Sequence, residues 1–237
     1  MPQITWDNVG EHYYETGTDR GVLYAYDSEK KAYKTGVAWN GLTSVKASPS
    51  GAESNPFYAD NIKYLNLISA EEFGATIEAY TYPDEFAVCD GTAALAELPG
   101  AMIGQQKRKT FGFSWRTRIG NDTDGDSLGY KIHVLWNGIA SPSEKDYSTV
   151  NDSPEPVTFS WEVTTTPIPF SSDPKFKELR PCAYISFDSR TLKPEMLNKL
   201  EGILYGGEAG DAKLPANPEA LLKELSGSKP ASSSATS

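Results

Sequence analysis

The chain of 237 residues holds two histidines, two cysteines and three methionines, and this scarcity removes several kinds of chemistry. His12 and His133 have no Cys, Glu or second His at ligand spacing, so a zinc centre lacks its donors. Cys89 and Cys182 make neither a CxxC pair nor a disulfide framework, and the expectation is that both are reduced and buried. No apolar run approaches the ~20 residues of a membrane-spanning helix. Residues 1–6 lack the basic-then-apolar layout of a secretory signal, which predicts a product of the cytoplasm. Basic residues are also short, 22 Lys and Arg against 32 Asp and Glu, and the net charge of −10 argues against a protein that grips nucleic acid through its phosphates. The G-x-S-x-G, G-x-x-x-x-G-K-[ST] and G-x-G-x-x-G patterns are missing. The neighbouring acids Glu71-Glu72 and Asp84-Glu85 would point to opposite faces of a strand or favour a helix start, rather than flank a scissile bond. A non-enzymatic protein is expected, without cofactor or metal.

What is plentiful is alternation of period two. Phe111, Phe113, Trp115, Thr117 and Ile119 share one face of an extended run, with Gly112, Ser114, Arg116 and Arg118 on a second, wet or partner-facing side. The pattern recurs at Phe159, Trp161 and Val163, and at Phe73, Ala75, Ile77 and Ala79. Further strands are expected over 22–26, 33–45 with a turn at Asn40-Gly41, 63–68, 130–136 and 183–188. Residues 109–137 read as one long hairpin around an Asp/Gly-rich connection at 120–129. Helical signal is confined to 83–89, to 193–205, begun by Pro194 and stopped by Gly206-Gly207, and to a piece at 217–225 capped by Asn217. The fold class is therefore mainly β with one or two peripheral α-helices. Residues 1–206 form the main domain, 207–225 an extension with a short helix and 226–237 a disordered tail.

Asp122, Asp124 and Asp126 invite a calcium reading, but Ser127 and His133 stand where an EF-hand loop needs Gly and Glu, so the cluster reads as a hairpin tip. The sequons at Asn121 and Asn151 read as turns, and His133 as a surface or interface histidine. Lys107, Arg108 and Lys109 form a basic patch in an acidic chain, suited to an acidic surface on a neighbouring copy or to a solvated strand entrance. Residues 47–58, with their Ser-Pro and Asn-Pro steps, read as a long loop between early strands, a length that is usually functional.

Specific stretches then carry a resemblance: WNGLTSV at 39–45, SPSGAE at 48–53, YADNIKY at 58–64, EEFG at 71–74, IEAYTYPDEF at 77–86 and GNDTDGDSLGYKIH at 120–133. In this order they resemble the major tail proteins, or tail tube proteins, of long-tailed, non-contractile phages of Gram-positive bacteria, over roughly residues 4 to 206. The resemblance implies a tail-tube-type β-sandwich or barrel whose hexameric rings stack into a hollow conduit for DNA. It implies assembly in the host cytoplasm, a place in the virion tail, and tape measure, distal tail and terminator proteins as partners. DNA would pass the lumen without specific binding, as a negative wall favours. Ser48, Pro49, Glu53, Asn55, Tyr58 and Asp60 are then expected in an inter-ring contact loop, with the tip Asp122, Asp124 and Asp126 as the alternative. Rival readings are a terminator or decoration protein of the same particle, and a carbohydrate-binding module using exposed Trp and Tyr, with Trp136 and Trp161 as its test positions.

Overall fold

The computed structural model describes residues 3–98, 100–147, 149, 155–171, 173–207 and 210–227. The expectation for Asn151 and nearly all of that for the tail lie outside these residues. Fifteen strands occur in chain order: β1 (Tyr14–Asp27), β2 (Ala32–Tyr33), β3 (Val37–Trp39), β4 (Leu42–Ala47), β5 (Ser50–Gly51), β6 (Ser54–Ala59), β7 (Ile62–Ile68), β8 (Glu71–Glu72), β9 (Gly74–Ala79), β10 (Ala93–Ala94), β11 (Met102–Ile103), β12 (Phe111–Asn121), β13 (Gly125–Ala140), β14 (Phe159–Thr165) and β15 (Tyr184–Asp188). One 3-10 turn (Asp84–Phe86) and two helices, α1 (Pro194–Tyr205) and α2 (Pro218–Leu225), complete the set of elements among the described residues. The protein is mainly β, as its alternation predicts.

Nine strands form one antiparallel sheet in the order β2-β1-β12-β13-β14-β9-β4, with β3 added to β1 and β15 to β13. Its centre is the predicted hairpin β12–β13, although the strands run further than expected and the turn shrinks to Asp122–Asp124. The sheet bends where β13 carries one extra residue: Phe113 faces Leu135 but Phe111 faces Gly138, and Asn137 takes a φ of 51°. Before the bend β13 pairs with β15; after it, with β14. Gly138 sits in that corner, where a Cβ would stand 2.8 Å from the Leu135 side chain.

The bend leaves a core on each side of the central strands. On one side Leu23, Phe111, Phe113, Trp115 and Leu135 meet Trp39, Ile77, Trp161 and Val163, with Phe86 closing the end. On the other, Val22, Tyr24, Ile132, Val134 and Trp136 meet Leu200 and Leu204 of α1, Leu214, and Leu221 and Leu225 of α2. Alternation along β1 and β13 thus sends successive side chains to different cores. The second face of β12 is therefore dry at its start: Gly112 and Ser114 are buried, the first beneath Leu214 and Tyr33. The helix layer is fixed by polar contacts as well. The Tyr24 hydroxyl donates to the Leu204 carbonyl at 2.6 Å and the Trp136 indole to the Pro215 carbonyl at 3.0 Å.

Three local expectations change. Asn40-Gly41 does not join a hairpin, because β3 pairs with β1 and β4 with β9; it is the corner at which the chain crosses between the two walls. Strand β1 begins eight residues before the predicted Val22, its alternation obscured by two bulges at which Gly17 and Arg20 take positive φ. Residues 83–89 give only the short 3-10 turn, which plugs the core with Phe86. Among the described residues no helix is long and apolar enough to cross a membrane.

Candidate assembly interface

The segment expected to be a long loop is a two-stranded arm. It leaves β4 at Ala47 and returns to β9 at Gly74, with β5 paired to β8 and β6 to β7. The turn is Asp60-Asn61, both at positive φ (51° and 64°), the twist a two-residue hairpin requires. Gly51 is obligatory in the ladder: its φ is 85°, and a Cβ would meet the Ala70 carbonyl oxygen at 2.1 Å. Strand rise makes the arm on the order of 35 Å long.

Every residue from Lys46 to Glu72 is exposed. The ladder register places Phe57, Leu65 and Leu67 on one face, joined beyond a bulge at Tyr64 by Ile62, and Pro56, Tyr58 and Ile68 on the other, so neither face has a core of its own. Tyr58 and Tyr64 are each 70% exposed. An isolated two-stranded ribbon is marginal in water, and contiguous apolar surface of this kind marks a contact site.

The root of the arm is held firmly. Ser48 N–H donates to the Gly74 carbonyl at 2.8 Å, and the Thr165 hydroxyl to the Phe73 carbonyl at 2.6 Å. The Phe73 ring stacks on Tyr184 with centroids 4.1 Å apart and planes 1° from parallel. From Tyr184 the stack continues through His133 at 6.0 Å to Trp115 at 4.9 Å and Phe113 at 5.5 Å. His133 is thus buried within a ladder of rings, not at the surface, because the sheet face opposite Ile132 and Val134 is covered too. Its Nδ1 accepts from the Tyr184 hydroxyl at 2.7 Å and its Nε2 lies 2.9 Å from the Thr117 hydroxyl, an arrangement suited to a neutral imidazole protonated on Nε2. Burial, partly offset by Glu15, lowers its pKa to about 4.

Ser48, Pro49, Glu53, Asn55, Tyr58 and Asp60 all lie on the arm, but its second limb, 62–72, is as exposed as the first. The hairpin-tip acids are engaged within the chain: Asp122 accepts from Gly10 N–H at 3.0 Å and lies 3.1 Å from the His12 ring, Asp124 from Asn121, and Asp126 from Arg118. Asn121 forms the expected turn, its side-chain oxygen accepting from the Thr123 and Asp124 N–H groups. The basic patch divides. Lys107 and Lys109 are exposed, whereas the Arg108 guanidinium turns inward to the Ala140 carbonyl at 3.0 Å and to Asp90 at 3.5 Å. Asp90, itself buried, also takes the Trp161 indole N–H at 3.1 Å and the Lys145 ammonium at 2.6 Å. Cys89 beside it is buried, with its thiol pushed up to about 12; Cys182 is only half-buried, so both are free but not both hidden.

Two further surfaces went unread in the sequence. The outer edges of β1 over Tyr14–Arg20 and of β15 carry no strand partner among the described residues. The outward side of β4, β9 and β14 presents Ser44, Thr76, Ser160 and Thr164 with Glu78, Glu162 and Lys46, and no layer of the described residues covers it. Trp136 and Trp161, the test positions for a sugar platform, are both 0% exposed, which removes them as a binding surface.

This is a mainly-β, two-cored body carrying an apolar arm that has no partner among the described residues. Comparison with family models and with curated proteins found no match for this chain.

Proposed function

We propose that the protein is a structural subunit of a phage tail tube, whose copies close into hexameric rings that stack into a hollow conduit for DNA. The observation that carries this reading is the arm, because a ribbon apolar on both faces is stable only when another surface covers it. Unpaired edges on β1 and β15 offer lateral continuation of the sheet between copies, which would remove those edges. The uncovered polar side of β4, β9 and β14, short in side chain and bearing two carboxylates to one ammonium, gives passing DNA little to grip. On this reading the protein does no chemistry, and its other partners are tape measure, distal tail and terminator proteins.

Negative-stain electron microscopy of the concentrated protein, beside its mass by light scattering, tests the proposal. Hollow tubes with six-fold cross-sections are expected. A single closed ring that never lengthens would favour a terminator, and a monomer that does not associate at any concentration would refute self-assembly.

A further inference from the structure

Strand β9 joins two projections. It receives the arm at Gly74, and from Ala79 the chain runs through the 3-10 turn into a second exposed hairpin, β10–β11. Six residues of strand set these ends roughly 17–20 Å apart. The second hairpin forms a lobe over residues 91–109 that presents Leu95, Leu98, Met102 and Ile103 to solvent. Its base is closed by Gln106 N–H donating to the Gly91 carbonyl at 2.9 Å, and Lys109 N–H ties it to the Val88 carbonyl of the body at 3.1 Å.

The two projections are opposite in charge. The arm carries Glu53, Asp60, Glu71 and Glu72 against Lys63 alone. The lobe carries exposed Lys107 and Lys109 against Glu97, while Arg108 is engaged by Asp90. Two unlike surfaces on one body join head to tail, so the same contact repeats from each copy to the next. Each also supplies the apolar cover that the other lacks.

We infer that the lobe is the acceptor for the arm of a second copy in the neighbouring ring, with Lys107 and Lys109 facing the acids of that arm. The inference rests on the tube reading and adds to it the surface on which the arm lands.

Charge reversal on each side tests it, with four exposed positions whose substitution leaves both cores untouched. Lys107→Glu with Lys109→Glu on the lobe, and Glu53→Lys with Glu71→Lys on the arm, are each expected to shorten tubes at least tenfold in electron micrographs, with the melting temperature of the disassembled subunit unchanged. Combining all four is expected to restore tube length. Wild-type tubes together with a lobe reversal that elongates normally, or a combined variant as defective as either pair alone, would remove the acceptor and leave the tube reading standing. Wild-type protein that makes no tubes would remove both.

Discussion

Burial holds the His133 imidazole neutral, and its two hydroxyl neighbours fix which nitrogen carries the proton. The consequence for stability follows from linkage. A histidine in the unfolded chain titrates near ~6.5, while the folded one has its pKa lowered to about 4. Between those values the unfolded state binds a proton that the folded state refuses, so folding weakens as pH falls from 6.5 towards 4, by up to about 3 kcal/mol. Denaturant titrations of wild type and His133→Gln across this range are expected to converge as the pH drops, because only the wild type carries this penalty. Parallel curves would show that the ring titrates normally. Since His133 lies in the stack that reaches Phe73, the same protonation acts close to the root of the arm.

At the level of elements, the arm adds reach to the body and little to its stability, since Lys46 to Glu72 are exposed throughout. Replacing residues 49–72 by an Asn-Gly turn is expected to shift the melting temperature of the isolated subunit by no more than a few degrees and to abolish tubes. Normal tubes from this variant would exclude the arm as the stacking element. Deleting 48–55 alone is a poorer cut, because it removes β5 and the partners of Leu67 and Ile68 while leaving the outer part of the ribbon paired. The sequence disclosed some elements well. Pro194 and Gly206 bracket α1, and Asn217 caps α2 by accepting from Ala220 N–H at 2.8 Å. The alternating runs of β9, β12 and β14 lie where their apolar faces require. The arm was only half legible: Pro49 and Pro56 argue against strands, and the turn Asp60-Asn61 contains no glycine. The dryness of Gly112 and Ser114 was not legible either, because it depends on Tyr24, Tyr33 and Leu214, brought together by folding. The lobe went unread for a simpler reason, since Ala93-Ala94 and Met102-Ile103 are too short for alternation to register.

For the whole molecule, assembly and stability become one measurement. If copies stack as proposed, the apparent melting temperature of the wild type rises with protein concentration, while that of the armless variant stays constant. Scanning calorimetry over a hundredfold range of concentration tests this, and a concentration-independent wild type would speak against association of the native state. Because β1 and β13 send neighbouring side chains into both cores, the body has no internal seam along which one layer can slip over the other. The thin place in each subunit is the arm root, where two strands and one pair of stacked rings join the arm to its body. A column of such subunits would flex as a chain of stiff beads does, each bead keeping its shape while curvature is taken up in the links.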